Sequence, residues 1–382
     1  MSAPKTVLIL DYNVVPQMLS GHSLIALLRH LDSSRYRAVV VFNRAGEYSN
    51  AASRLAAETI ILPHGGGSLV KRAWQYGRLV LSLWLLARRV RPCLIYANNV
   101  MAGRPAILLK ALTGLPVIVH IRNTGFFPRT APLVLRADQF LTVSRATAKG
   151  TLPPGAQDRT VVVYDGIELS EYPFGNSDLR RSSRMKLNLP TGGYVVGMAG
   201  RLAAQKGQRC FLEMAKCICA RRTDVFFVHA GGVPSPQSRD TYEKFLATES
   251  AGLTRSNRFK WLPYIEDMTT FWSALDLAVV PSAGPEAFSR AVIEAMASGV
   301  PVVATRSGGP EEIIEGSEAG LLVPMQDADA LTRAVTQLLN DGALRARLSG
   351  HARAAVEERF SAERYVANIA DVFDRIVRSQ AG

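Results

Sequence analysis

Short apolar runs alternate with helical stretches along the whole chain. These runs lack the alternation of polar and apolar residues that marks a strand with one solvated face, so they predict parallel strands covered on both sides. Strands that alternate with helices predict an α/β fold built from doubly wound parallel sheets. The predicted strands are Thr6–Leu10, Ala38–Phe42, Thr59–Leu62, Leu94–Tyr96, Val117–His120, Phe140–Val143, Tyr194–Met198, Val225–His229, Leu277–Val280, Val302–Ala304 and Leu321–Val323.

Two α/β units begin in the same way, each with a strand, a glycine-containing loop and a helix. The first unit begins at Thr6–Leu10 and the second at Tyr194–Met198, and a polar, Arg-rich stretch between Pro173 and Pro190 separates them. We therefore predict two Rossmann-like domains that face a cleft, followed by a C-terminal helix that packs back toward the first domain. The predicted boundaries are 1–175, 176–360 and 361–382.

The charge of the chain is concentrated in its first half. The 382 residues have a net charge of +13, with 48% hydrophobic and 20% charged residues, and this composition excludes a disordered chain. Residues 1–175 have a net charge of +11 and residues 176–382 of only +2. Between Glu58 and Asp138 there is no acidic residue but there are 11 Lys and Arg. The function of the first domain must therefore account for this positive charge.

Targeting and metal-binding signals are weak. The chain enters a strand almost at once, so we expect no secretory signal peptide. The most apolar run, Leu79–Ala87, is too short to span a bilayer. The four cysteines lack the spacing of zinc ligands and are read as buried thiols of a reducing compartment. We expect a cytoplasmic protein with a peripheral contact to the inner face of the membrane.

Two cations flanked by glycines follow the first strand of the second domain. They lie in Gly200-Arg201-Leu202-Ala203-Ala204-Gln205-Lys206-Gly207. Cations five residues apart at the carboxyl end of a strand suit a diphosphate held by charge rather than by metal. A solvated lysine at a helix start would explain Lys206 alone but explains the pair less well. The P-loop pattern is absent.

Two glutamates lie in the segment Pro281–Glu312. Ser289 marks the predicted start of a helix whose free N–H groups and dipole suit a phosphate. Glu294 lies inside that helix among apolar residues, where a carboxylate needs a partner. The partner is either an arginine or a ligand hydroxyl, and Glu286 is either a ligand contact or a solvated loop acid.

These residues together resemble the retaining nucleotide-sugar glycosyltransferases of family 4, which have the GT-B fold. Glu286 and Glu294 fit the E-x7-E pattern of that family, and Gly200–Gly207 fits its G-R-L-x-x-x-K-G element. The chain departs from the family pattern at Ser20-Gly21-His22, where paired glycines are usual, and at Asp165, where asparagine is usual. Further matches are Gly299–Thr305, Gly308–Glu312, Arg91-Pro92, His120, Val143-Ser144, Asp165-Gly166-Ile167 and Trp261-Leu262-Pro263-Tyr264.

The resemblance implies roles for the matching residues. Arg201 and Lys206 would hold the donor diphosphate and stabilise it as a leaving group. Glu294 would accept hydrogen bonds from the ribose, and Glu286 would contact the donor sugar. His120 would lie near the transferred sugar, although without the resemblance it is more simply a strand-end histidine bonded to the backbone. The other implied donor contacts are Ala287, Phe288, Ser289, Gly309 and Tyr264.

The implied chemistry agrees with the charges. Breaking the bond between a sugar and a diphosphate places negative charge on the leaving oxygen, and fixed cations stabilise that charge. We therefore expect a metal-independent hexosyltransferase with no cofactor, which moves a sugar from a UDP- or GDP-sugar to a glycan or lipid-linked acceptor. Its place would be cell-surface polysaccharide or glycolipid synthesis.

The basic segment Lys71–Arg91 belongs to the domain that binds the acceptor in this family. It contains six basic residues, no acid, two tryptophans and one tyrosine. Basic residues interleaved with aromatic ones suit a helix on an anionic membrane surface, and an anionic acceptor would use the same field. The plain alternative is a sheet-covering helix with solvated arginines. No nucleic-acid-binding motif is present, so we expect no nucleic-acid partner.

Two other functions fit the same fold. A nucleotide-sugar epimerase would convert the donor without an acceptor, and a non-catalytic subunit would bind the nucleotide sugar without turnover. A dehydrogenase is disfavoured because no G-x-G-x-x-G follows the strand Thr6–Leu10.

Overall fold

The chain folds into two compact units. A computed structural model describes residues 3–12, 22–64, 68–125, 131–232 and 242–380. Unit 1 contains the residues up to Ile167 together with those from Ser361 onward, and unit 2 is Glu168–Phe360. The Ser20-Gly21 pair of the first loop lies outside the described residues.

Unit 1 contains a seven-stranded parallel sheet in the order β3-β2-β1-β4-β5-β6-β7. Its strands are β1 (Lys5–Asp11), β2 (Tyr36–Phe42), β3 (Glu58–Ile61), β4 (Leu94–Ala97), β5 (Val117–Ile121), β6 (Gln139–Thr142) and β7 (Thr160–Val162). Its helices before the crossover to unit 2 are α1 (His22–His30), α2 (Glu47–Ser53), α3 (Leu69–Val90), α4 (Val100–Thr113), α5 (Arg145–Thr151) and α6 (Pro154–Gln157).

Unit 2 contains a six-stranded parallel sheet in the order β10-β9-β8-β11-β12-β13. Its strands are β8 (Tyr194–Ala199), β9 (Val225–Ala230), β10 (Phe259–Leu262), β11 (Leu277–Val280), β12 (Val302–Thr305) and β13 (Gly320–Val323). Its helices are α7 (Ser177–Lys186), α8 (Gln208–Cys219), α9 (Tyr242–Arg255), α10 (Met268–Ser273), α11 (Arg290–Ala297), α12 (Gly309–Glu315), α13 (Ala328–Asn340) and α14 (Gly342–Arg359).

The last helix of the chain, α15 (Ala362–Ser379), packs in unit 1. Its buried face, which includes Ile369 and Phe373, shares one apolar core with α1 and one side of the sheet. Helices α3 and α4 fill the second core, on the other side of the sheet. Each core excludes water from one sheet face, which explains why the strands carry continuous apolar runs.

The predicted doubly wound α/β fold is confirmed. Every predicted strand is present, with ends that differ by at most two residues. Two strands, β7 and β10, were not predicted. Both lie at sheet edges, where only one neighbour covers the strand, and β10 (Phe-Lys-Trp-Leu) mixes a lysine into its apolar residues. A search for continuous apolar runs overlooks β10 for this reason, whereas β7 (Thr-Val-Val) is a short apolar run that was missed. Among the described residues, no helix has the length and apolar character needed to cross a bilayer.

Candidate active site

The predicted cationic and acidic segments meet at one place in unit 2. In a doubly wound sheet, ligands bind at the carboxyl ends of the strands where the strand order reverses. In unit 2 this switch point lies between β8 and β11, which pair in parallel. The Gly200–Gly207 loop follows β8, and the loop with Glu286 follows β11. The topology thus brings together two segments that are about 80 residues apart in sequence.

The backbone of the Gly200–Gly207 loop is held by residues that lie outside the loop. The Gln208 side-chain amide donates to the Arg201 carbonyl at 2.7 Å, while the Arg201 side chain is exposed. Gly207 has φ +79°, and a Cβ there would lie 1.8 Å from the Pro281 carbonyl oxygen. Only glycine allows the β8 loop to approach the β11 loop this closely. Arg201 therefore remains open to a ligand on a loop whose backbone is fixed.

Glu286 is held between two side chains. Its Oε1 pairs with the Lys206 ammonium, and its Oε2 accepts a hydrogen bond from the Ser282 hydroxyl at 2.5 Å. The Glu286 side chain is only 12% exposed and that of Lys206 24%. A carboxylate this enclosed is stabilised by its partners rather than by water. Glu286 is thus an ordered acid and not the solvated loop acid that was the alternative.

The backbone around Glu286 is tied to the next loop of the sheet. The Glu286 N–H donates to the Ser307 carbonyl at 2.7 Å, and the Gly309 N–H donates to the Glu286 carbonyl at 2.9 Å. A Cβ on Gly309 would lie 2.6 Å from Phe288 Cα and 2.7 Å from the Ala287 carbonyl oxygen. The backbone at Ala287–Phe288 therefore packs directly on the start of α12. The Gly309 N–H is hydrogen-bonded to the Glu286 carbonyl.

Glu294 is buried on α11 and has several partners in the protein. The guanidinium of Arg290 lies 3.2 Å from Glu294 Oε1, and Trp272 Nε1 donates to Oε2 at 3.2 Å. The pKa of the Tyr172 hydroxyl is raised, mainly by burial and secondly by the charge of Glu294. Both hypotheses for Glu294, an arginine partner and a ligand hydroxyl, thus remain compatible with the structure. Arg290 pairs with Glu294, and the helix of Glu294 begins at the switch point.

The other predicted contacts to the donor are not all close to the switch point of the unit 2 sheet. Ser289 is buried at the N-cap position of α11, but its side chain makes no capping hydrogen bond. Tyr264 is exposed and follows β10, which is an edge strand. Two strands, β9 and β8, lie between β10 and β11. The structure therefore brings Lys206, Glu286 and the Ala287–Ser289 backbone to the switch point, while Tyr264 follows a more distant strand.

His120 is fully buried in β5 of unit 1. Its Nδ1 lies 2.6 Å from the Tyr96 hydroxyl and 3.2 Å from Arg122 Nη2, while its Nε2 has no hydrogen-bond partner among the described residues. Burial, and secondly the charge of Arg122, hold the pKa of His120 well below its usual value. His120 is therefore a neutral imidazole in a buried polar cluster.

That polar cluster lies at the carboxyl edge of the unit 1 sheet and centres on Arg122. The Arg122 guanidinium donates to Asp165 Oδ1 at 2.6 Å, to Asn98 Oδ1 at 3.0 Å and to the Tyr365 hydroxyl of α15 at 2.7 Å. Ser23 also donates to Asp165 Oδ1 at 2.9 Å. The aspartate at position 165, where the resembled family usually has asparagine, thus supplies the counter-charge for a buried arginine. Sequence reasoning did not find Arg122, because its partners come from distant segments.

Asp11 forms a second part of the same edge, at the end of β1. It accepts hydrogen bonds from Tyr48 at 2.6 Å, Asn98 at 2.9 Å and Asn99 at 2.7 Å. Burial raises the pKa of Asp11, although these donors and the charge of Arg122 oppose that effect. Asp11 and Arg122 thus share Asn98 as a common neighbour.

One Asp-x-Asp sequence occurs in the chain, at Asp327-Ala328-Asp329. Asp327 caps α13, where its carboxylate accepts a hydrogen bond from the Ala330 N–H at 2.8 Å, and Asp329 lies in the first turn of the same helix. Carboxylates at these positions stabilise a helix N-terminus. The role of Asp327 in the described structure is therefore helix capping.

Two family models match this chain, one mainly over unit 1 and one within unit 2. The family model for glycosyl transferases group 1 matches residues 180–355, and the model for Glycosyltransferase Family 4 matches residues 20–171. The chain is therefore a group 1 glycosyltransferase of family 4. This confirms the family that the motifs indicated and the assignment as a transferase.

Curated relatives are similar to this chain over part or most of its length. A D-inositol 3-phosphate glycosyltransferase of Corynebacterium urealyticum is 33% identical over 186 residues, which are 48% of this chain and 43% of that protein. The lipopolysaccharide core biosynthesis mannosyltransferase LpsB of Rhizobium meliloti is 28% identical over 299 residues, 75% of this chain and 81% of LpsB. The chain thus spans less than half the length of the first relative.

Solved structures share the fold. Anabaena Alr3699/HepE, in complex with UDP and glucose, has a TM-score of 0.81 and 24% identity, and the match covers 96% of this chain and 99% of that one. A glycosyltransferase of Rickettsia africae has a TM-score of 0.84 and 17% identity, with 98% and 99% covered. These similarities confirm the predicted GT-B fold class.

Proposed function

We propose that this protein is a retaining glycosyltransferase that transfers a sugar from a UDP- or GDP-sugar to a glycan or lipid-linked acceptor. The observation that carries the proposal is the Lys206–Glu286 pair at the switch point of the unit 2 sheet, beside the exposed Arg201. Relatives named for lipopolysaccharide core synthesis support a role in cell-surface polysaccharide or glycolipid synthesis.

Each residue at the switch point has a chemical role in this proposal. Arg201 and Lys206 bind the donor diphosphate. When the bond between sugar C1 and the phosphate oxygen breaks, its electron pair stays on that oxygen, and the two cations stabilise the resulting charge. The acceptor hydroxyl oxygen bonds to C1, and its proton passes to the released diphosphate. Glu286 contacts the donor sugar, and Glu294 accepts hydrogen bonds from the ribose hydroxyls. The two cations supply this charge stabilisation, so the proposed reaction needs no metal ion.

Turnover of a nucleotide sugar tests the proposal directly. The purified protein is incubated with UDP- and GDP-hexoses, with glycan and lipid acceptor fractions, in the presence of EDTA. We expect nucleotide diphosphate release that requires one donor and one acceptor fraction, and a product whose NMR spectrum shows the anomeric configuration of the donor. Transfer abolished by EDTA and restored by a divalent metal would contradict the metal-independent mechanism, and an inverted product would contradict retention.

The same experiment separates the two alternative functions. An epimerase would change the donor sugar with no acceptor present, and chromatography of the remaining nucleotide sugar would detect the change. A non-catalytic subunit would bind the nucleotide sugar without releasing nucleotide. The ordered Lys206–Glu286 pair argues against a non-catalytic subunit, because it provides a cation for a leaving group.

We also propose that unit 1 contacts an anionic membrane surface through the outer face of α3. The inner face of α3 is buried in the core through Leu79, Leu83 and Leu86. On the outer face, Trp74 is 60% exposed, and two leucines, Leu81 and Leu85, are each 55% exposed. Spacings of seven and four residues place these three side chains on one helix face. A monomeric unit gains little from three large apolar side chains in water, whereas a bilayer interface would bury them.

Arginines accompany this apolar face. The Arg78 guanidinium lies 4.6 Å from the centre of the Trp74 ring, and the Arg88 guanidinium lies 4.9 Å from the centre of the Trp84 ring. Arg78 is four residues from Trp74 and Arg88 is three residues from Leu85, so both arginines border the apolar face. Each basic side chain near an anionic leaflet contributes about 1 kcal/mol. Charge and apolar area therefore favour the same partner.

Binding to vesicles tests the membrane contact. We expect the protein to sediment with phosphatidylglycerol-containing vesicles and not with phosphatidylcholine vesicles, and 0.5 M salt should weaken the binding because it screens exposed charges. The variant Leu81→Ser/Leu85→Ser should bind about tenfold more weakly. As a control, Leu112→Ser changes a leucine of α4 that is equally exposed and should bind as the wild type does. Equal binding by both variants would contradict the proposed face.

A further inference from the structure

Ser282 is the side chain that holds the second oxygen of Glu286. It follows β11 after Pro281 and is 1% exposed. Its hydroxyl donates to Glu286 Oε2 at 2.5 Å, while Lys206 occupies Oε1. A buried serine hydroxyl that is aimed at a carboxylate fixes the plane of that carboxylate as well as its distance.

The position of Ser282 is itself fixed. Its carbonyl accepts a hydrogen bond from the Thr305 hydroxyl of β12 at 2.7 Å. The N–H of the next residue, Ala283, donates to the Gln205 carbonyl at 2.9 Å. Ser282 is thus anchored both to the neighbouring strand and to the loop that carries Lys206. A hydroxyl on such a support can orient its acceptor with little freedom of its own.

The two partners of Glu286 differ in what else they can bind. Lys206 has an ammonium group with three N–H donors on a flexible stem, and the proposed function assigns it to the donor diphosphate. When Lys206 turns toward the diphosphate, its hold on Glu286 weakens. The Ser282 hydroxyl has a single proton, and in this structure it is given to Glu286. Ser282 can therefore keep the Glu286 carboxylate in place when a donor is bound.

We propose that Ser282 is a positioning residue that orients the Glu286 carboxylate toward the donor sugar. The inference rests on the proposed function, in which Glu286 contacts that sugar. Ser282 itself touches Glu286 and acts through it. Its effect should consequently appear in the transfer step more than in the binding of the nucleotide, because misorientation of a group near the reacting centre lowers kcat.

Kinetics of Ser282→Ala test this inference. At saturating donor we expect kcat to fall about tenfold, as for the loss of a hydrogen bond to a charged group. The affinity for UDP or GDP, measured by calorimetry, should stay within about twofold of the wild-type value. Ser298→Ala is the matched control, because Ser298 is also 1% exposed and its hydroxyl has no partner among the described residues. Its kcat should equal that of the wild type.

A double-mutant cycle distinguishes positioning from a general structural effect. If Ser282 acts through Glu286, then adding Ser282→Ala to Glu286→Gln should lower kcat no further, whereas a structural defect would lower it again. The crystal structure of Ser282→Ala gives a readout that does not depend on activity, because we expect the Glu286 carboxylate to rotate.

Three results would overturn the inference: an unmoved Glu286, an unchanged kcat, or additive effects in the cycle. If the wild-type protein transfers no sugar, the proposed function fails by itself. The orientation of Glu286 in the Ser282→Ala crystal structure then still decides whether Ser282 positions that carboxylate.

Discussion

Replacing Lys206 with alanine is expected to lower kcat for sugar transfer by a factor of about 100 to 1,000. This range corresponds to the loss of one preorganised group that stabilises a developing negative charge, about 3–4 kcal/mol. Lys206 lies at the switch point, where its side-chain ammonium group donates a hydrogen bond to Glu286. In the proposed function its removal takes away a ligand of the diphosphate, and in the structure it leaves Glu286 without its counter-charge.

Steady-state kinetics of three variants make this test specific. Lys206→Arg keeps the positive charge and should retain more activity than Lys206→Ala, although the two cations differ in geometry. Lys216→Ala is the control, because Lys216 forms a similar Lys–Glu pair with Glu249 on the exposed surface of α8. That exposed pair should contribute little to stability and nothing to activity. If Lys206→Ala keeps more than half of the wild-type kcat, its assigned role is wrong.

Replacing Asp165 with asparagine is expected to lower the free energy of unfolding by about 3 kcal/mol. The side chains of Arg122 and Asp165 are only 14% and 12% exposed, and their charged atoms are 2.6 Å apart. Asparagine has the same shape and can still accept the hydrogen bond from Ser23, but it leaves the Arg122 charge without its close counter-charge. An unpaired charge in such a site destabilises the folded state.

Urea denaturation measures this loss, and two further variants control for its cause. Glu58→Gln makes the same acid-to-amide change in unit 1, but its partners Arg37 and Arg89 are 42% and 60% exposed, so the expected change is below about 1 kcal/mol. Arg122→Gln combined with Asp165→Asn should lose less stability than the sum of the two single variants, because neither charge remains. A stability of Asp165→Asn equal to that of the wild type would disprove the importance of the pair.

Much of the candidate site could be predicted because its chemistry is local in sequence. The cations Arg201 and Lys206 share one loop, and Glu286 and Glu294 share one loop and helix. Each segment follows a parallel strand, and ligands of such sheets bind at the carboxyl ends of the strands. Ser282 could not be predicted, because a serine near a glutamate in sequence contacts it only if the loop folds back in the observed way.

The polar cluster of unit 1 shows the opposite case. Arg122 receives its distant partners from three separate segments, at Asn98, at Asp165 and at Tyr365 of the C-terminal helix. The largest sequence separation among these contacts is 243 residues. A pattern in one stretch of sequence contains no information about such pairs. The sequence showed that position 165 has aspartate where asparagine is usual, but only the structure showed that this aspartate pairs with Arg122.

The amino-acid sequence by itself determined the succession of strands and helices, the α/β class and the residue types of the candidate site. These features depend on hydrophobic periodicity and on residues close to one another in the chain, which act before any tertiary contact forms. Only the tertiary structure decided that Lys206 and Ser282 share the Glu286 carboxylate, that Asp165 neutralises Arg122, and that Trp74, Leu81 and Leu85 face outward. Those outcomes depend on which distant segments the fold brings into contact and on which helix face the core covers.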